Sequence, residues 1–142
     1  MQQWQNLLTK GNDFFDQKNW LEAENYYQQA EALLDNSWSR DTTNTDLLMA
    51  WICATHNLAA LYEKQGEHTV SLQYLLLSHQ RIVSLAQADY LNNKVKLTAI
   101  KTLKVTLSPI LAFKQKHPVC RDCMASLMDI NRSKQNRKTS IH

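Results

Sequence analysis

His117-Pro118-Val119-Cys120-Arg121-Asp122-Cys123 holds the densest set of reactive side chains in this chain. A Cys-x2-Cys beside a His can ligate zinc, and a thiol at a helix N-terminus can be redox-active. Arg121 and the dipole of a helix starting after Pro118 would favour a thiolate at Cys120. Against that, the sequence has no second Cys-x2-Cys and no His pair at metal-ligand spacing. A fourth ligand would have to come from the remote His142 or from a contact made by the fold. No βαβ pattern accompanies the cysteines, as a thioredoxin-like site would require. The expectation is therefore no metal and no cofactor. Cys123 would pack in the core and Cys120 would sit partly exposed at a helix start. A zinc or thiol site at His117, Cys120 and Cys123 is the alternative.

Other constellations are weaker. His56, His68 and His79 are scattered and form no His-Glu-x2-His or triad-like grouping. With two glycines in 142 residues, a phosphate-cradling backbone loop has no material to be built from. Glu22, Glu24 and Glu31 read as solubilising charge on one helix face, so the chain is not expected to be an enzyme. Cys53, inside an apolar run, reads as a core residue. The four Trp and five Tyr fall mostly at helical spacing on apolar faces and read as core. Trp38 is the exception, set in a polar stretch where its ring would either pin a loop or present a contact.

Charge is distributed unevenly. Residues 1–92 hold five Lys and Arg against eleven Asp and Glu, a net −6. Residues 93–142 hold eleven against two, a net +9. A basic end of this kind suits an acidic partner or head-to-tail self-association. Phosphate contact also needs such charge, but the lysine-rich stretch has little aromatic interleaving and no recognition motif, so nucleic acid is not the expected partner. No apolar run approaches the roughly 18–20 residues of a membrane span. The N-terminus lacks the pattern of a signal peptide, and three cysteines imply no disulfide framework. Those features point to a cytoplasmic protein.

The elements that must position these residues are helices. Two Gly and two Pro leave little for the turns of a β-rich fold. Apolar residues recur at three- and four-residue spacing over about 3–18, 20–34, 47–65, 68–88 and 94–116. A loop is expected over 36–46, with Asp46 capping the third helix. Pro109 should kink or interrupt the fifth helix, and Pro118 should open a sixth over about 119–131. Residues 1–132 would form one domain and 133–142 a disordered basic tail. The six helices would pair as three stacked antiparallel hairpins.

Two stretches share one template. Leu7, Lys10, Gly11, Phe14, Ala23, Tyr27 and Ala30 recur as Thr55, Leu58, Ala59, Tyr62, Ser71, Leu75 and Ser78, with identical internal spacing. Small residues fall where helices must approach closely and bulky ones where they interlock. The pattern resembles the tetratricopeptide repeat (TPR) family, whose template runs W-x2-L-G-x2-Y, then A-x3-F, then P. Asp35 and Val83 stand where the family has Pro. The copies lie 48 residues apart instead of about 34, and residues 94–131 carry no readable third copy.

The resemblance implies an all-α, short α-solenoid with a concave face that binds an extended peptide or a partner helix. It places Leu8, Asn12, Phe15, Asn57 and Lys101 among the binding residues. Some family members clamp a partner's terminal carboxylate. Asn12 and Asn57 match two positions of that clamp, but Leu8 replaces its first Lys and the fifth helix lacks Lys-x3-Arg. The expected function is a protein–protein interaction module, with the possibility of a homo-oligomer. A small TPR-type chaperone holding a client is the alternative.

Overall fold

Asparagines start three of the helices. Asn19, Asn44 and Asn92 each accept hydrogen bonds from backbone N–H groups of the first turn that follows: Glu22 for Asn19 (3.4 Å), Asp46 and Leu47 for Asn44 (3.1 and 3.2 Å), and Val95 for Asn92 (2.9 Å). Such caps satisfy N–H groups that have no carbonyl partner inside the helix. The resulting elements are α1 (Gln3–Asp16), α2 (Trp20–Arg40), α3 (Thr45–Lys64), α4 (His68–Gln87) and α5 (Asn93–Lys116). The computed structural model describes residues 2–89 and 92–118, and among these the chain is all-α with no strand. The sixth helix expected over 119–131, Cys120, Cys123 and the basic tail lie outside the described residues.

Helix endings repeat as the template does. At the end of α1, Asn19 N–H donates to Phe14 O (2.9 Å), Lys18 N–H donates to Phe15 O (2.9 Å), and Lys18 takes φ 60°. At the end of α3, Glu67 N–H donates to Tyr62 O (2.8 Å), Gly66 N–H donates to Glu63 O (3.1 Å), and Gly66 takes φ 79°. These bonds satisfy the last carbonyls of each helix through a left-handed residue. Each pair of equivalent positions is 48 residues apart, the offset read from Gly11 to Ala59.

Three local expectations are corrected. The 36–46 loop shrinks to a short turn, because α2 continues to Arg40. Ser39 Oγ donates to Asp35 O (2.8 Å), Trp38 is half-buried, and Arg40 places a cation in the last turn, where the helix dipole favours it. Asp46 is not the cap of α3; Asn44 is, and Asp46 sits in the first turn. Cys53 is exposed and is not a core residue, although its neighbours Ile52 and Ala54 are buried. Pro109 lies within an uninterrupted α5.

Contacts gather the chain into two compact units, Met1–Glu67 and His68–His142. In the first, α2 packs against α1 and against α3. It does so through Ala23, Tyr27, Ala30 and Leu34, all buried. Gly11 lets α1 approach: a Cβ there would lie 2.5 Å from two ring carbons of Tyr27. Phe14 stacks on Tyr26 (5.6 Å between centroids, 4° between planes), and Lys10 Nζ lies 5.6 Å from the centroid of the same ring. Across α2 and α3, Trp51 Nε1–H donates to Glu31 (3.1 Å) and Gln28 Nε2–H donates to Tyr62 Oη (2.8 Å). α3 is apolar around most of its circumference, with ten buried residues from Leu48 to Tyr62. Its Thr55 hydroxyl is satisfied by Ile52 O at 2.8 Å, so this buried polar group leaves no donor unpaired.

In the second unit α4 packs against α5. Val95, Ala99, Thr102, Thr106, Ile110 and Phe113 form the buried face of α5. His79 Nδ1 and Thr106 Oγ1 share a 2.8 Å hydrogen bond between the two helices.

Candidate interaction surface

The residues singled out in the sequence fall on three helices. Leu8, Asn12 and Phe15 lie on one face of α1, spaced four and three residues apart, with Leu8 and Phe15 half-buried and Asn12 exposed. Asn57 is half-buried on α3, and Lys101 is exposed on α5 in the second unit.

Two of the α1 residues have structural work to do. Tyr27 Oη–H donates to Asn12 Oδ1 at 2.6 Å, tying α1 to α2. Phe15 packs edge-on against Trp20 (5.2 Å, 68°) across the turn between those helices. Desolvation by burial, and secondarily the charge of Asp16, raise the Tyr27 hydroxyl to about 12. The phenol therefore stays a hydrogen-bond donor through the neutral range. Burial holds His56 and His79 below the usual histidine range.

A second surface was not recognised in the sequence. Leu97, Ile100, Leu107 and Leu111 on α5 are each between 40% and 52% exposed. With Lys104 they recur at intervals of three, four, three and four residues, the spacing of a coiled-coil seam. At 100° per residue this stripe lies on the side of α5 away from its buried face. It is about 21 Å long, from 14 residues at about 1.5 Å each. Val105, 50% exposed, lies on a different flank of the helix, about 120° around from the stripe. Lys94, Lys101, Lys104 and Lys114 are exposed on the same helix, and residues 93–116 contain no Asp or Glu. Lys96 reaches Asp89 at 3.9 Å, at the start of the helix. The signal was present in the sequence, since α5 has apolar residues on more than one face. They read as core because nothing in a single sequence says how many faces of a helix its neighbours cover.

Polar clusters are sparse. Among the described residues no group of three or more His, Cys, Asp or Glu side chains converges as a metal site would need. Among the same residues no helix is long and apolar enough to cross a membrane.

A family model described as "Protein of unknown function (DUF2753)" matches residues 2–142. The chain belongs to this family. The match covers the five helices of the described residues and extends past α5 through Cys120 and Cys123, so it takes in both units. No curated protein matches the chain, and no solved structure does.

Proposed function

We propose that this DUF2753 member is a TPR-like protein-interaction module that takes an acidic amphipathic segment of a partner protein. The observation that carries the reading is the outward face of α5, where four large exposed apolar side chains and Lys104 recur at seam spacing, with Lys101 and Lys114 on its two flanks. An exposed apolar stripe rimmed by charge marks an interaction site more often than a plain solvated surface. Its period fits a helical partner laid along it. The charge selects the partner's chemistry. A second copy of α5 would oppose lysines with lysines, whereas a segment with Asp and Glu flanking its apolar residues would neutralise them. The TPR-like template supports the same class of function, and it offers the α1 face of Leu8, Asn12 and Phe15, with Asn57, as a separate candidate contact within the first unit.

The test is affinity capture by the full chain from its native lysate, beside two double variants, Ile100→Glu/Leu107→Glu and Lys101→Glu/Lys104→Glu. Circular dichroism confirms that each retains its helices. The expected result is a partner held by the wild type and lost with both variants, whose binding segment is helical and acidic. Its association should weaken as salt rises from about 0.05 to 0.5 M, since exposed charges are screened over that range. Undiminished binding by both variants would overturn the α5 reading. An Asn12→Ala/Asn57→Ala variant then tests the α1 and α3 residues.

A further inference from the structure

α3 carries an outward stripe at the same seam spacing as that of α5, but with different side chains. It consists of Asp46, Met49, Cys53, His56, Ala60 and Glu63, at intervals of three, four, three, four and three residues. Asp46, Cys53 and Ala60 are exposed, and Met49, His56 and Glu63 are half-buried. At 100° per residue these six lie within about 100° of the helix circumference, on the arc that the ten buried residues of α3 leave open. Asp46 starts the stripe and Glu63 ends it, about 25 Å apart, with Lys64 at the edge of the last turn. Burial holds His56 below the usual histidine range, so the middle of the stripe carries no cation at neutral pH.

Resting on the α5 reading above, we infer that the segment seated on α5 is the α3 stripe of a second copy of this chain. Size is complementary. Leu97, Ile100, Leu107 and Leu111 project from α5, and the small side chains of Cys53 and Ala60 leave room for them on α3, as knobs need holes. Charge is complementary too. Carboxylates stand at both ends of the α3 stripe, and Lys94 and Lys114 stand towards the two ends of α5, 20 residues or about 30 Å apart. Lys104, in mid-stripe, can lay its stem along apolar neighbours and carry its ammonium to the rim. At longer range, residues 1–67 hold four Lys and Arg against ten Asp and Glu, a net −6, whereas α5 holds six Lys and no acid. Opposite net charges steer this encounter and disfavour the pairing of α5 with α5. The contact joins different faces of the two copies, so a bound pair still presents one α3 stripe and one α5 stripe to further copies.

The experiment is sedimentation velocity on the purified full chain, kept reduced so that exposed Cys53 forms no disulfide, from micromolar to near-millimolar concentration. The expected result is association that grows with concentration and weakens as salt rises from about 0.05 to 0.5 M. Ile100→Glu/Leu107→Glu on α5 and Ala60→Arg on α3 alter exposed positions, and circular dichroism checks that the helices are kept. Each should weaken self-association at least about tenfold. Mixing the two variants should restore a 1:1 pair, because the intact α3 of one then meets the intact α5 of the other. A chain that stays monomeric throughout would overturn the second copy as occupant. So would association that Ala60→Arg leaves unchanged, or variants whose mixture stays monomeric. The α5 reading fails separately, when capture from the lysate is undiminished by the α5 variants.

Discussion

Gly11 and Tyr27 set the closest approach in the first unit, and the geometry makes their exchange asymmetric. A methyl group at position 11 would enter the ring of a side chain that is only 2% exposed. The ring has no free direction to swing, so α1 itself must move. Gly11→Ala is expected to lower unfolding free energy by about 1–3 kcal/mol, the range of an overpacked core, in a urea titration. Lys18 presents the opposite case. It occupies the left-handed position that Gly66 fills in the second copy, where a side chain is strained and glycine is not. Lys18→Gly should raise stability by about 1 kcal/mol. Tyr27 also makes an alkaline limit. Its hydroxyl is raised in the folded chain to about 12, above the ordinary value of 10.0. The unfolded chain therefore loses that proton first as pH rises, and the stability Tyr27 contributes below pH 10 is lost between pH 10 and about 12. Tyr27→Phe should flatten the alkaline fall in melting temperature, while costing about 0.5–1.5 kcal/mol at pH 7 for the bond to Asn12.

At the scale of elements, the sequence was most legible where two constraints agreed. Gly11, Ala23, Tyr27 and Ala30 match the template and are buried, and so are Thr55, Leu58, Ala59, Tyr62, Ser71, Leu75 and Ser78. Polar composition misled at the end of α2. Asp35 to Arg40 has the residues of a loop, yet Trp38 is half-buried and Ser39 bonds back along the helix, so the turn begins only at Asp41. Tertiary packing there overrides weak local propensity. The α5 face was missed for a related reason. Periodicity shows which residues share a face, but not which face is left without a neighbour. Pro109 shows how much packing can absorb, since α5 continues through it although a proline cannot donate to the carbonyl four residues back. Pro109→Ala should therefore stabilise the second unit, by up to about 3 kcal/mol, with a matching rise in melting temperature.

At the scale of the molecule, the all-α class was readable from the shortage of Gly and Pro and from helical periodicity. The 48-residue offset between the two template copies was readable as well, and the paired helix endings at Lys18 and Gly66 keep it. Contacts between distant parts of the chain were not readable, and the stacking of the His68 ring on that of His117, with centroids 3.9 Å apart, is an example. The order of packing carries a consequence for time as well as for shape. Within each unit the helices pack against their neighbours in sequence: α1 on α2, α2 on α3, α4 on α5. Few long loops must close before stabilising contacts form, so the topological barrier is low. Stopped-flow or temperature-jump refolding should find the main phase within microseconds to milliseconds, as for other helical domains of low contact order. The chain would then complete its helical surfaces early, with the apolar stripe of α5 exposed from the first milliseconds after folding begins.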